Sequence, residues 1–132
     1  MKEDTRSSKA LIAVVDDEPF ICDIVKRGLA REYDVDTYCD SQSVLDALES
    51  GRRYDLIFCD LRMPGVSGRE IYNQVREKWP EQAKKIVFMS GLTEIEAREE
   101  LIEEEINGNQ MLKKPFQLRA LRSLTRELIG DE

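Results

Sequence analysis

The chain has 132 residues, of which 41% are hydrophobic and 36% charged, with a formal net charge of −7 and no histidine. That length suits one domain with one core, and the hydrophobic share argues against disorder. The acidic balance repels phosphate backbones, so direct nucleic-acid binding is not expected; the missing histidine excludes a His-dependent triad and a phosphohistidine carrier; no apolar run approaches the ~20 residues of a membrane span.

Residues 1–9 are polar and are expected to form a disordered lead, not a signal peptide, with a single domain over 10–132. Cys22, Cys39 and Cys59 are odd in number and lack metal-type spacing. They argue for a cytoplasmic, reducing setting and against a disulfide framework or a zinc site.

Ala10–Val15 is a continuous apolar run and predicts a first strand. A helix over 19–31 follows, with Pro19 in its first turn and Ile21, Ile24, Val25, Gly28 and Leu29 on one stripe. Val35–Tyr38 alternates polar with apolar, as an edge strand does, and a helix is expected over 41–50. Leu56–Asp60 predicts the third strand, apolar through Cys59; the helix after it, 68–79, opens on a Ser67-x-x-Glu70 capping box and repeats Ile71, Val75 and Trp79. Ile86–Met89 predicts the fourth strand, and Thr93-Glu94-Ile95-Glu96 the start of a fourth helix over 94–105. Gln110–Leu112 is a short mixed strand, and 117–129 a fifth helix with a seam of Leu121, Leu124 and Leu128.

Strict alternation of strand and helix implies α/β architecture: a five-stranded parallel sheet, doubly wound, with helices on both faces. Right-handed crossovers give the strand order 2-1-3-4-5, which places the switch point between strands 1 and 3. Ligands bind there, at the carboxyl ends of the strands.

Those ends carry Asp16, Asp17 and Glu18 after strand 1, Asp60 at strand 3, Ser90 after strand 4 and Lys113-Lys114-Pro115-Phe116 after strand 5. Taken singly, each reads as a helix cap, a turn residue or a solvated charge. Together, three carboxylates around one crevice need a cation or raised pKa values. A hard divalent ion with oxygen ligands is the simplest remedy, and Mg²⁺ takes one or two carboxylates plus a phosphate. A carboxylate can act as nucleophile and form an acyl phosphate, with a lysine and a hydroxyl meeting the other phosphoryl oxygens.

The motifs VVDDE, DLRMPGVSG, MSG and KKPF, spread over four strand ends between residues 10 and 129, resemble the bacterial two-component response-regulator receiver family, of flavodoxin-like (βα)5 fold. The resemblance implies a phosphoacceptor switch, not an enzyme acting on other molecules. Asp60 would be the phosphoacceptor. Asp17 would ligate Mg²⁺ directly and Asp16 mainly through water, with the Arg62 carbonyl as a further ligand. Ser90 and Lys114 would bind phosphoryl oxygens. A histidine kinase or histidine phosphotransfer protein would be the donor, docking near Pro19, Cys22 and Pro115. Three residues before Lys114, where many members carry Tyr or Phe, this chain has Met111, apolar and flexible, which leaves inward packing open but offers no hydroxyl, so the family's serine–aromatic coupling is not implied here.

Two alternatives fit less well. A Mg²⁺-dependent phosphatase of the haloacid-dehalogenase type would resemble D-x-D-x-[TV] where this chain has DDEPF, and an unphosphorylated adaptor receiver would not need every chemical position filled. Acidic 94–105 and Arg119, Arg122 and Arg126 on the fifth helix suit a homodimer through the fourth and fifth helices. Two solvated faces are the plainer reading.

Overall fold

A computed structural model describes residues 9–91 and 111–130. Its elements are β1 (Leu11–Val15), α1 (Pro19–Leu29), β2 (Asp34–Tyr38), α2 (Ser41–Glu49), β3 (Leu56–Asp60), α3 (Gly68–Lys78), a one-turn α4 (Pro80–Ala83), β4 (Ile86–Ser90), β5 (Met111–Lys113) and α5 (Leu118–Ile129). The five strands form one sheet in the order β2-β1-β3-β4-β5, every pair parallel. The strand order and edge strands are those expected from the sequence. The helix predicted over 94–105 lies outside the described residues.

Why the sheet is covered on both faces follows from the two-residue repeat of its strands. Ala13, Val15, Ile57, Cys59, Ile86 and Phe88 point into one layer, packed by Val44, Leu45 and Leu48 of α2 and Ile71, Tyr72 and Val75 of α3. Their neighbours Ile12, Val14, Leu56, Phe58, Val87 and Met89 point the other way, against Cys22, Val25 and Leu29 of α1 and Leu121 of α5. All five residues of β3 and of β4 are buried, which is why these strands read as apolar runs up to Asp60 and Ser90 at their ends.

Local chemistry sets the helix starts. Ser67 and Glu70 make the reciprocal capping box of α3, at 2.9 and 3.2 Å, and Asp40 caps α2 by accepting from the Ser43 amide at 2.8 Å. The seam of α5 differs from its leucine spacing. Leu128 is exposed, whereas Thr125 is buried with its hydroxyl donating to the Leu121 carbonyl at 2.7 Å. A hydroxyl that bonds back into its own helix is satisfied without water, so threonine can occupy the inner face. The short α4 was not expected from periodicity; it carries Gln82, whose buried amide bonds both backbone groups of Tyr54 at 2.8 and 2.9 Å. Among the described residues no helix is long and apolar enough to cross a membrane.

Candidate functional site

Because all five strands run the same way, their carboxyl ends share one edge of the sheet, and the polar residues that follow them meet there. Asp16 is fully buried and Asp60 and Ser90 nearly so, while Asp17 is exposed at the rim. Carboxylate oxygens of Asp16, Asp17 and Asp60 lie within 4.8 Å of one another. Lys114, just past β5, sends its ammonium between two of them, 2.8 Å from Asp16 Oδ2 and 3.2 Å from Asp60 Oδ1. Its backbone N–H donates to the Ser90 carbonyl at 2.7 Å, which fixes the loop to the end of β4. The Lys114–Pro115 peptide is cis. Arg62 follows two residues after Asp60 and is exposed.

Three carboxylates thus face one ammonium, and the imbalance is visible in their protonation. Burial, then the charge of Asp16, pushes the Asp60 carboxyl up to about 6 against the pull of Lys114, with Asp17 adding to the rise. For Lys114, burial works against the charge, but the bonds and charges of Asp16 and Asp60 outweigh it and raise its pKa.

The donor set fits a hard divalent cation. It is all oxygen, it carries surplus negative charge, and the buried Oδ2 of Asp16 has no well-angled hydrogen bond despite the nearby ammonium. The other oxygen of Asp16 is held by the Glu18 amide at 2.9 Å. A buried acceptor left in this state favours a cation.

Three features were not read from the sequence. Glu18 approaches Lys114 at 3.6 Å. Asp16 takes the shorter of the two main lysine contacts, although Asp60 was the expected centre. Gly68, the first residue of α3, packs directly on the backbone that presents Asp60. Its N–H donates to the Leu61 carbonyl at 3.0 Å, and a Cβ there would collide with the Asp60 carbonyl oxygen and stand 2.9 Å from Leu61 Cα. The serine-glycine spacing DLRMPGVSG was the available signal, but a close approach of backbones is invisible without the fold.

Residues named for partner contacts are partly taken up within the chain. Cys22, placed at the partner-docking face, is only 4% exposed, because α1 turns it toward the end of β2. The exposed apolar residue there is Phe20, at 70%. On α5, Arg122 donates to the Gly28 carbonyl at 3.0 Å and Arg126 pairs with Glu32 at 3.5 Å, so two of the three arginines are engaged by the α1 end of the same chain. Met111 is half-buried against the α2–α3 layer.

A family model described as the response regulator receiver domain matches residues 12–126. The chain belongs to that family. Membership settles the choice between a receiver and a dehalogenase-type phosphatase in favour of the receiver. The chain is 38% identical over 88 residues to the hydrogenase transcriptional regulatory protein HoxA of Cupriavidus necator, covering 67% of this chain and 18% of that protein. It is 33% identical over 108 residues to the transcriptional regulatory protein QseB of Escherichia coli O157:H7, covering 81% and 47%. The chain therefore spans half or less of the length of these curated relatives. Among solved structures it resembles the Thermotoga maritima response regulator TrrA in complex with Mg²⁺–BeF, at 30% identity and TM-score 0.76, covering 90% of this chain and 98% of that one. The Vibrio cholerae chemotaxis protein CheY4 aligns at 27% identity and TM-score 0.75, covering 91% and 98%. Receiver domains of response regulators are signalling switches, and here the switch is a five-stranded parallel sheet with an acidic pocket at its carboxyl edge.

Proposed function

We propose that residues 10–132 form one receiver domain of a cytoplasmic phosphorelay, and that its chemistry is to accept a phosphoryl group on Asp60. It assists only its own phosphorylation and dephosphorylation and turns over no other substrate. The observation that carries this reading is the Lys114 ammonium set between Asp16 and Asp60, with Asp17 at the rim.

Asp16, Asp17, Asp60 and the Arg62 carbonyl would hold Mg²⁺, which when bound neutralises charge on the phosphoryl oxygens. A carboxylate oxygen of Asp60 forms the bond to phosphorus as the donor's nitrogen–phosphorus bond breaks. The electron pair of that bond returns to the donor's imidazole. Lys114 turns from its carboxylate contacts to a phosphoryl oxygen, and the Ser90 hydroxyl donates to another. The acyl phosphate carries more negative charge than the carboxylate it replaces, in a pocket where burial and Asp16 already raise the Asp60 pKa, so Lys114 and the bound cation would have to offset it.

The donor is a histidine kinase or histidine phosphotransfer protein. Pro19, Phe20 and Pro115, all or partly exposed beside the pocket, offer an apolar face for its helix. The Mg²⁺–BeF complex of TrrA supports the same ligand chemistry in a relative of 30% identity. Self-pairing through 94–105 and α5 would rely chiefly on Arg119, since Arg122 and Arg126 are engaged within the chain.

The test is labelling by a small phosphodonor such as acetyl phosphate. Incorporation should be stoichiometric with Mg²⁺ and absent with a chelator; equal labelling in both would reject the assigned site.

A further inference from the structure

The metal ligands proposed above come from two places: Asp16 and Asp17 follow β1, and Asp60 with the Arg62 carbonyl stands where β3 runs into the β3–α3 loop. That loop is closed at its base, where the Gly68 amide donates to the Leu61 carbonyl at 3.0 Å and the Leu61 amide to the Met89 carbonyl at 2.9 Å. Residues 62–67 lie between those points, with Met63 and Val66 half-buried against the α2–α3 layer. A side chain from a different element reaches this stretch. Ser41, the first residue of α2, is only 5% exposed, and its hydroxyl donates to the Val66 carbonyl at 2.5 Å across 25 residues of sequence. Because Asp40 caps α2, that hydroxyl is delivered from a fixed helix end.

The same segment is tied to the other set of ligands. The carbonyl of Tyr38, three residues before Ser41, accepts the Asp16 amide at 3.0 Å. A short path therefore runs from Asp16 through residues 38–41 to Val66. Direct pairing of β1 with β3 ends at Val15 and Cys59, so it does not extend to the loop beyond Asp60. The Ser41 hydroxyl makes its contact where the ladder no longer reaches.

We propose that Ser41 is a positioning residue: its hydroxyl holds the β3–α3 loop at the distance from the β1–α1 loop that lets the Arg62 carbonyl and the aspartate carboxylates share one Mg²⁺. The inference rests on the metal reading above and adds to it a residue outside the pocket. Mg²⁺ demands near-ideal octahedral geometry at short ligand distances, whereas Ca²⁺ accepts longer and more varied ones. A displaced ligand loop therefore weakens Mg²⁺ binding more than Ca²⁺ binding. Ser41 is buried, so water does not readily replace the lost donor.

The experiment compares the parent, Ser41→Ala and Thr125→Val; the last removes a buried hydroxyl bond from α5, on the other face of the sheet, and serves as the control. Amide exchange of residues 61–68 is followed by mass spectrometry in chelator, and Mg²⁺ and Ca²⁺ affinities by titration calorimetry. In Ser41→Ala that segment should exchange ~3–10-fold faster with β1 unchanged, and Mg²⁺ should bind ~3–10-fold more weakly, the range of one lost hydrogen bond. The loss for Ca²⁺ should be smaller, and Thr125→Val should match the parent throughout. Parent-like Mg²⁺ affinity in Ser41→Ala, an equal loss for both ions, or the same change in Thr125→Val would each overturn the inference alone. A parent that binds no Mg²⁺ would reject the proposed function and this inference with it.

Discussion

Replacing Asp60 with asparagine should stabilise the metal-free protein, although it removes an ion-pair partner of Lys114. Asp60 is pushed from an ordinary value of 3.8 to about 6 by burial and by Asp16, so at neutral pH the folded state carries a carboxylate it would rather protonate. Two pKa units correspond to about 3 kcal/mol, and solvent screening at the open mouth of the crevice reduces this to ~1–2 kcal/mol. In a chain of 132 residues that is a rise in Tm of ~3–8 °C. The sign fixes the pH window. The folded pKa is raised, so the penalty is absent below about 4, grows between 4 and 6 and is complete above 6. Urea or thermal unfolding of both proteins in chelator, from pH 4 to 7.5, measures it. Adding Mg²⁺ should then stabilise the parent far more than the variant. A variant that is less stable at pH 7.5, or a gap that does not change with pH, would refute this account of the pocket.

Asp17→Ala should weaken Mg²⁺ binding by at least ~10-fold in titration calorimetry, and unchanged affinity would remove Asp17 from the ligand set. Gly68→Ala drives a methyl into the Asp60 carbonyl and should cost ~1–3 kcal/mol, read by urea unfolding, and slow acetyl-phosphate labelling as well; a variant with normal stability and labelling would show that this close approach is not needed. Trp79 closes α3 at the edge opposite the pocket, between Arg53 and Lys78, with their charges 5.2 and 5.6 Å from its ring. Its emission should hardly respond to Mg²⁺, and strong quenching would contradict that placement. Beryllofluoride should leave the chain monomeric in sedimentation, given Arg122 and Arg126 bound to Gly28 and Glu32; a dimer would show that those contacts yield.

The sheet was legible because burial on both faces writes itself into the strands: LIFC and IVFM are apolar up to the polar residue that ends each strand, while DVDTY at the edge alternates. Strand order then located the site, since a parallel sheet gathers whatever follows its carboxyl ends. What stayed hidden depends on rotations and distances that no pattern encodes. Thr125 rather than Leu128 faces inward because its hydroxyl is satisfied within the helix. α4 is a single turn, too short for periodicity to register. Cys22 is buried only through the rotation of α1, and Arg122 and Arg126 reach Gly28 and Glu32 across 94 residues of sequence.

Phosphorylation of Asp60 is the central claim, and intact-mass analysis of the Asp60→Asn variant beside the parent tests it most directly. Both would be incubated with acetyl phosphate and Mg²⁺. The parent should gain one phosphoryl group, mapped to the peptide holding Asp60, and the variant none. Stoichiometric phosphorylation of Asp60→Asn would contradict the account.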